Sequence, residues 1–439
     1  MLTAGTLIGP GVVFLLAVLI GRRWSQRWSY ITALWVSLAW IASTALSWHA
    51  LMRGQESAIL VGVTNGIAAT SSWDSRWWLR EHSRVAAHRY YLWWSLFWGA
   101  LLGIAVAQNL ALAWLAVEFS TLTSGALIIE LGDRRALEAA WKYILIASVG
   151  LVLGLLGIIF LYASLKHQAL GWSTLNYGNL HAHVSHIAPV VRELATLFII
   201  SGFGTKAGLV PFHTWLPDAH SEAPSPVSGL LSGVLLGLSL FTVGRFLDAL
   251  PTAPGLFLSG RHLLIGFGTL SIVIGALALL VQRDIKRLLA YSSIEQIGLI
   301  AVALGVGSKA ALSVALLQFA IHAVIKSSLF YGAGHLTVIY RTKRLHKITG
   351  LMMRNPVGAI FWAVGILGLA GLPPFGLAYS EWLIFLQLWQ HHQYLVITLV
   401  ASALTLTFAA LTHHLIRTLW RNVEDSGGQN AESSTREVV

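Results

Sequence analysis

Apolar stretches long enough to cross a membrane follow one another along most of the chain, with short polar segments between them. A helix needs about 20 apolar residues to span the hydrocarbon core of a bilayer. The pattern therefore predicts an all-α, polytopic membrane protein. The thirteen predicted spans are 4–21, 30–48, 57–72, 91–108, 110–131, 141–163, 193–216, 226–247, 262–281, 288–306, 310–340, 356–389 and 394–416. The third is short and polar.

Basic residues orient the predicted spans. If the N-terminus lies outside, 21 of the 29 Lys and Arg residues fall in cytoplasmic segments or at the cytoplasmic ends of spans, six in outer segments or at the outer ends of spans, and two, Lys206 and Lys326, deep within spans. This asymmetry follows the positive-inside rule. Without the third span, the first basic loop would lie on the opposite side from all the later ones, so the charge pattern favours keeping it. We predict an outer N-terminus and a cytoplasmic C-terminus.

Composition supports the same class of protein. Hydrophobic residues make up 56% of the chain and charged residues 11%, with a mean hydropathy of +0.69, whereas a soluble domain has about 25% charged residues. The net charge of +11 is explained better by basic cytoplasmic loops than by nucleic-acid binding. Because the chain has no Cys, it cannot form disulfides, thiolate metal sites or iron–sulfur clusters of its own.

Ionisable residues inside the predicted spans are the first candidates for function. Burying such a group near the bilayer midplane costs roughly 2.5–3.5 kcal/mol. A single Glu–Lys pair can serve as a structural link between helices. Six groups of both signs on five spans favour a proton relay instead, because a proton crosses a dry medium by passing between titratable groups. The six are Glu118, Lys206, Glu295, His322, Lys326 and Glu381.

Two proline-containing motifs interrupt long apolar segments close to these groups. They are "GLVPFHTWLP", which follows Lys206, and "GLAGLPPFG", which precedes Glu381. Proline removes a backbone donor and clashes with the preceding turn, and a broken helix at membrane depth is tolerated only inside protein or beside a cavity. We therefore predict two broken helices in which water reaches a titratable side chain. The helix-breaking residues are Pro211, Pro217, Pro373 and Pro374.

The same groups indicate an internal repeat. Glu118 precedes Lys206 by 88 residues, and Glu295 precedes Glu381 by 86. Five predicted spans separate the corresponding members, so the two units have opposite orientations in the membrane. Inverted repeats with discontinuous helices are typical of transporters. The predicted organisation is three N-terminal helices, two five-helix repeats and a polar cytoplasmic tail, at residues 1–90, 91–250, 251–422 and 423–439.

Four sequence blocks carry a resemblance to a known family. They are "KAGLVPFHTWLPDAHSEAPSPVSGLLSGVLL", "QRDIKRLLAYSSIEQIG", "HAVIKSSLFYGAGH" and "GLAGLPPFGLAYSEWLI". Over about residues 90–420 the chain resembles the antiporter-like proton-pumping subunits of respiratory complex I, of Mrp-type cation/proton antiporters and of membrane-bound nickel–iron hydrogenases. "YSSIEQIG" and "EAAWKYILIASVG" are most similar to the hydrogenase-4 and formate-hydrogenlyase branch, in particular to hydrogenase-4 component F.

The resemblance implies roles for the buried ionisable residues. Glu118 and Lys206 match the family's switching ion pair, so we expect them to form a buried pair. His322 and Lys326 match the central positions of the eleventh span, and Glu381 matches the terminal residue of the relay. The further relay candidates are Glu295, His213, Lys142 and His335.

Gly237 departs from the family pattern. The family usually has Lys at this position, or Asn in the hydrogenase branch, and glycine cannot titrate. Either water or Ser239 bridges the gap, or the chain conducts protons poorly. We expect ordered water beside Gly237, between Lys206 and the pair formed by His322 and Lys326.

The resemblance implies a proton-translocating subunit of an energy-converting redox complex in a prokaryotic inner membrane. Its expected partners are other membrane subunits, a peripheral redox module, lipid, and protons or Na+. No cofactor, metal or nucleic acid is expected in this chain. The alternatives are a secondary cation/proton antiporter subunit, a structural anchor and an inorganic-carbon uptake subunit.

The predicted outer loop 164–190 contains His181, His183 and His186. Three histidines could bind a metal, but a solvated loop rich in His is the favoured interpretation.

Overall fold

A computed structural model describes residues 10–12, 25–46, 55–168, 171–251 and 259–420. Most of the first predicted span and the whole polar tail therefore lie outside the described residues. Within those ranges the fold is helical, without a β-strand, and two isolated bridges join Asn109 to Asn176 and Asp284 to Arg344. An all-helical fold fits a chain in lipid, because each helix satisfies its own backbone hydrogen bonds.

The α-helices are numbered here in chain order over the described ranges. They are α1 (Ser25–Leu46), α2 (Glu56–Glu81), α3 (Ala87–Val106), α4 (Leu110–Ile129), α5 (Arg134–Leu165), α6 (Tyr177–Ala182), α7 (Pro189–Ala207), α8 (Trp215–Glu222), α9 (Ser225–Leu230), α10 (Leu236–Ala249), α11 (Gly260–Leu280), α12 (Ile285–Val306), α13 (Lys309–Tyr340), α14 (Leu351–Arg354), α15 (Pro356–Leu369), α16 (Gly376–Gln390) and α17 (Tyr394–Trp420).

Seven helical segments in the described part of the chain are long and apolar enough to cross a membrane by themselves. Two shorter apolar helices, Ile31–Ala42 and Pro356–Leu369, accompany them. The count of thirteen spans stays a prediction. The seven segments are α4, Arg134–Gln168, the continuous stretch Ser225–Ala249, α11, α12, α13 and α17.

The third predicted span is present, but the prediction that it is short was wrong. Helix α2 runs for 26 residues. Its polar side chains point into the protein: Asn65 accepts from the indole of Trp98 at 2.8 Å, and Ser71 donates to the main-chain oxygen of Pro226 at 2.9 Å. The low hydropathy of α2 therefore reflects hydrogen bonds to neighbouring helices, which a scan for apolar residues cannot recognise.

Both predicted helix breaks are confirmed. Helix α7 ends at Ala207 and α8 begins at Trp215, while α15 ends at Leu369 and α16 begins at Gly376. The peptide bonds before Pro211 and Pro374 are cis. Pro217, in contrast, lies in the first turn of α8, where proline is tolerated because the backbone N–H has no partner within the helix. Its assignment as a helix breaker was wrong.

Neighbouring side chains satisfy the backbone in the first break. The indole of Trp215 donates to the main-chain oxygen of Thr205 at 2.9 Å, and Ser271 on α11 accepts from the main-chain N–H of Val210 at 2.9 Å. Irregular backbone in a membrane-spanning region needs such partners. The break is therefore stabilised by specific hydrogen bonds, and it places the end of α7 inside the bundle.

The eighth predicted span contains a change of helix type. Residues 231–235 form one π-helical turn between α9 and α10, and the stretch Ser225–Ala249 is buried except at Arg245, which is half-buried, and Asp248, which is exposed. A π turn widens the helix and leaves main-chain groups available to neighbours, and such turns often occur at functional sites. Here the turn carries Ser232 into the centre of the bundle.

Small residues let α5 and α7 approach closely. A Cβ atom on Gly202 would lie 2.6 Å from the Cα of Gly154, so the contact requires glycine. Close packing through small residues is the usual basis of helix association in membranes. It brings Tyr143 on α5 within reach of Lys206 on α7.

Replacing Ser71 by Val should destabilise the protein by about 1–3 kcal/mol, because the main-chain oxygen of Pro226 and the indole of Trp94 would lose a buried partner. Thermal unfolding of the purified protein in detergent measures the effect. Ser313→Val, at an exposed site on α13, serves as the control and should unfold within 1 °C or so of the native protein. Equal stability of the two variants would contradict a structural role for the polar face of α2.

Candidate functional site: two buried lysines and their neighbours

Lys206 lies in the last turn of α7 and is completely buried. Its Nζ donates to Thr121 Oγ1 at 2.7 Å and to the hydroxyl of Tyr143 at 2.5 Å. The Tyr143 hydroxyl in turn lies 2.7 Å from Ser124 Oγ. The ammonium group is therefore held by neutral hydroxyl groups from α4 and α5.

Glu118 does not form the predicted ion pair with Lys206. Its Oε1 accepts from Ser148 Oγ at 2.7 Å, and its buried Oε2 has no protein hydrogen-bond partner. Thr121, one turn further along α4, takes the place at Lys206 that the carboxylate was expected to hold. The charge of Glu118 nevertheless acts on Lys206 through space. The two groups form an electrostatic pair without a direct contact.

Lys326 repeats this arrangement in the second half of the chain. It is completely buried on α13. Its Nζ donates to the main-chain oxygen of Leu289 at 2.7 Å and to Ser292 Oγ. Glu295, on the same helix as these two partners, acts on Lys326 through space. Both buried lysines thus have neutral oxygen partners and an acidic group nearby.

His322 connects Lys326 to the π turn. It lies one turn before Lys326 on α13, and its Nε2 is 3.3 Å from the main-chain oxygen of Ser232. Ser232 Oγ lies 2.7 Å from Ser293 Oγ on α12. His322 and Lys326 therefore share one helix face, as their spacing predicts, and Ser232 joins that face to α12.

Glu295 and Glu381 lie beside a chain of amide groups. Glu295 is completely buried, and its carboxyl oxygens meet no hydrogen-bond partner with good geometry among the described residues. Glu381 Oε1 accepts from Gln296 Nε2 at 3.3 Å. Gln296 accepts from Gln318 at 2.6 Å, and Gln318 accepts from Ser380 at 2.5 Å. This network joins α12, α13 and α16 around the second helix break.

The other relay candidates lie away from these clusters. His213 is half-buried in the first break, edge-on to Tyr291. Lys142 lies in α5 and pairs with Glu138 at 2.7 Å, with half its side chain exposed. His335 pairs with Asp74 at 2.9 Å. These contacts resemble surface or helix-joining contacts more than an internal relay.

The space beside Gly237 is occupied, which contradicts the expectation of water there. A Cβ atom at this position would lie 2.4 Å from Cδ2 of Phe319, whose ring packs edge-on against Phe241. Ser239 donates to the main-chain oxygen of Leu235 on its own helix at 3.0 Å, so it does not bridge the gap either. Phe319 lies on the neighbouring α13, and its position follows from packing that the sequence does not show.

Sequence reasoning missed the neutral residues that surround the charged ones. Serine, threonine and glutamine are also common in ordinary membrane helices, where they bond to their own backbone. A useful signal is their spacing from a charged residue, as with Thr121 three residues after Glu118. The missed residues are Thr121, Tyr143, Ser232, Ser292, Gln296, Gln318 and His220.

The histidine-rich segment does not assemble a metal site in this structure. Among the described residues, no group of three or more His, Cys, Asp or Glu side chains converges. His183 bonds through Nδ1 to the main-chain oxygen of Asn179 at 3.0 Å, and its ring centroid is 5.9 Å from that of His186.

Residues 107–407 match the transmembrane family described as NADH:quinone oxidoreductase/Mrp antiporter. The chain belongs to this family. It is 36% identical over 294 residues to the hydrogenase-4 component F homolog of Methylacidiphilum infernorum, a match that covers 66% of the chain and 62% of that protein. This similarity confirms the predicted branch of the family.

A second relative is NADH-quinone oxidoreductase subunit N of Desulforudis audaxviator. It is 33% identical over 288 residues, which cover 65% of the chain and 56% of that protein. The chain thus matches less than two thirds of the length of either relative.

Two solved structures share the fold. The archaeal membrane-bound sulfane sulfur reductase complex contains a chain with a TM-score of 0.83 and 23% identity, covering 95% of this chain and 87% of that one. A chain of the Mrp complex from Dietzia sp. DQ12-45-1b also has a TM-score of 0.83. It is 18% identical, and the match covers 95% of this chain and 80% of that one. The antiporter-like fold is therefore established for this chain.

Gly237→Ala should destabilise the protein by about 1–3 kcal/mol, because the added methyl group collides with Phe319. Thermal unfolding of the purified protein tests this. Gly266→Ala is the matched control: it lies inside α11, and its Cβ would meet nothing within 4 Å. That change should be neutral or slightly stabilising, since Ala favours a helix. If Gly237→Ala were as stable as Gly266→Ala, room beside Phe319 would have to exist.

Proposed function

We propose that the chain conducts protons across a prokaryotic cell membrane as one subunit of an energy-converting redox complex. The observation that carries this proposal is the pair of fully buried lysines, Lys206 and Lys326, whose hydrogen-bond partners are neutral oxygens. Membership of the family supports it.

Neutral partners distinguish a proton carrier from a structural link. A buried ion pair holds its lysine in the charged form, because loss of the proton leaves an uncompensated carboxylate. A hydroxyl group can donate or accept a hydrogen bond. The hydroxyls of Thr121 and Tyr143 can therefore serve Lys206 both as an ammonium and as a neutral amine. Ser292 offers Lys326 the same freedom.

The acidic residues would set when each lysine holds its proton. Glu118 acts on Lys206, and Glu295 acts on Lys326, in both cases without contact. A change in the charge of either acid would alter the free energy of the protonated lysine. We assign Glu381, with its amide network, to the far end of the relay.

The two halves would be joined through the π turn. Phe319 fills the space beside Gly237, so a route along that side of the eighth span is apolar. Ser232, Ser293 and His322 instead form a polar connection between α9–α10, α12 and α13. If this connection does not carry protons, the chain would be a structural anchor, which is the second candidate function.

The proposed topology has thirteen spans, an outer N-terminus and two inverted repeats at residues 91–250 and 251–422. The confirmed breaks after Lys206 and before Glu381 support it. The proposed partners are further membrane subunits and a peripheral redox module, since the relatives are named as components or subunits of larger assemblies.

Lys206→Met should lower proton translocation about tenfold or more, because a methionine of similar length cannot carry a proton. The native complex and the variant are purified with their partner subunits and reconstituted in vesicles containing a pH-sensitive dye. Lys309→Met, an exposed residue at the start of α13, is the control and should leave translocation unchanged.

The same assay separates the alternatives. Redox turnover with normal proton movement in Lys206→Met would overturn the relay. Proton movement that requires a sodium gradient and no redox substrate would identify a cation/proton antiporter subunit. A native complex that turns over without moving protons through this chain would identify a structural anchor.

A further inference from the structure

A polar pocket opens at the end of the bundle where α8 ends and α12 begins. It has a volume of about 420 Å³. Its rim includes exposed groups on the segment after α2, and the ion pair between Lys343 and Glu222, with 2.7 Å between Nζ and Oε2, lies in its wall. Among its lining residues are Glu81, Arg84, Glu222, Ser225, Lys286 and Lys343. None of these belongs to the relay described above.

Lys286 forms the buried side of this pocket. Only 5% of the residue is exposed, and Nζ donates to the main-chain oxygen of Ala223 at 2.8 Å. It lies in the first turn of α12. Like Lys206 and Lys326, it is a buried amine with a neutral oxygen partner.

His220 lies deeper than the pocket and is completely buried. Neither ring nitrogen has a hydrogen-bond partner in the part of the chain that the structure describes. The ring stacks on Phe330, with centroids 5.2 Å apart and planes inclined by 22°. Ser228 Oγ holds the main chain here by donating to the oxygen of His220 at 3.0 Å. The imidazole is thus fixed in place, while its two polar atoms remain free.

The His220 ring lies near two of the buried lysines, Lys326 and Lys286. Phe330, on which it stacks, is one turn after Lys326 on α13. Ala223, which binds Lys286, is three residues after His220. Lys326 and Lys286 are also the charged groups whose fields act on the ring. His220 therefore lies where the pocket side of the protein meets the second lysine cluster.

A carrier is needed between these lysines. Lys286 and Ser292, the partner of Lys326, are six residues apart on α12, which is about 9 Å along the helix axis. A hydrogen bond spans only about 3 Å. His220 is a titratable side chain near both ends of this interval, since it stacks on Phe330, one turn from Lys326, and precedes Ala223, which binds Lys286, by three residues.

Burial of an unpartnered imidazole is costly for a merely structural residue. A buried polar atom without a partner destabilises the folded protein, whereas a phenylalanine could stack on Phe330 without that penalty. The two free nitrogens are useful in proton transfer, because an imidazole accepts a proton on one nitrogen and releases one from the other.

We propose that the pocket, Lys286 and His220 form the route by which protons are loaded onto Lys326. Through bridging water, the ammonium group of Lys286 gives a proton to one ring nitrogen of His220 and becomes a neutral amine, which takes a new proton from the pocket. The imidazolium then passes a proton, again through water, to the neutral amine of Lys326. Each step moves one proton and conserves charge. The inference rests on the proposed function.

The test uses the complete complex in dye-loaded vesicles. His220→Phe keeps a flat ring against Phe330 and removes the proton-carrying nitrogens, so the initial rate of proton translocation should fall about tenfold or more. His414→Phe replaces a histidine on α17 that bonds to the main-chain oxygen of Leu279. It lies outside the route and should retain the native rate.

A rescue experiment separates proton transfer from packing. On the proposed route, the space that His220→Ala leaves is continuous with the pocket, so imidazole added to the buffer should fill it. We expect added imidazole to restore at least a third or so of the native rate in this variant and to leave the native complex unchanged. Recovery of the rate would also show that the variant is folded.

The outcomes are distinct. Native translocation combined with an unaffected His220→Phe variant overturns this inference alone. A slow His220→Phe variant without rescue of His220→Ala by imidazole also overturns it, since packing would then explain the loss. Absence of proton translocation by the native complex overturns the proposed function, and this inference with it.

Discussion

A charged amine inside a membrane-spanning bundle must find oxygen partners within the length of its own side chain, and this constraint governs the architecture around Lys206. The hydroxyls of Thr121 and Tyr143 meet that need. Tyr143 reaches Lys206 because glycines allow α5 and α7 to pack closely. Helix α7 must also stop directly after Lys206, so that its last turn lies among α4 and α5. The helix break and the close packing of α5 and α7 therefore act together to bring oxygen partners to Lys206.

The same constraint explains features that are not charged. The polar face of α2 is tolerated because Asn65 and Ser71 find partners on other helices. The π turn at residues 231–235 lets the main-chain oxygen of Ser232 face His322. In hydrocarbon, an unpaired polar group costs several kcal/mol. Each of these three features, namely Asn65, Ser71 and the π turn, thus coincides with a hydrogen-bond partner on a neighbouring element.

Hydropathy and proline chemistry were sufficient to predict a helical chain with several spans, the two breaks and the burial of five of the six ionisable candidates, because these depend on local sequence; the sixth, Glu118, is half-buried. Partners across helices were not predictable in the same way. The sequence indicates that Lys206 needs a partner but not that Tyr143 lies nearer than Glu118. Nor does it show that Phe319 fills the space beside Gly237. His220 was within a quoted motif, yet only its burial and its free nitrogens distinguish it from an ordinary histidine.

Separation of each lysine from its acid has a physical consequence for the proposed relay. At an effective dielectric constant of about 20, two unit charges in contact at about 4 Å interact by about 4 kcal/mol, and at about 8 Å by about 2 kcal/mol. The larger value would hold the proton on the lysine. The smaller value still changes its occupancy by more than tenfold, since 1.4 kcal/mol corresponds to a factor of ten. Lys206 bonds to neutral hydroxyl groups, and Glu118 lies nearby without touching it. Such a lysine can release its proton, and its protonation still depends on the charge of the nearby acid.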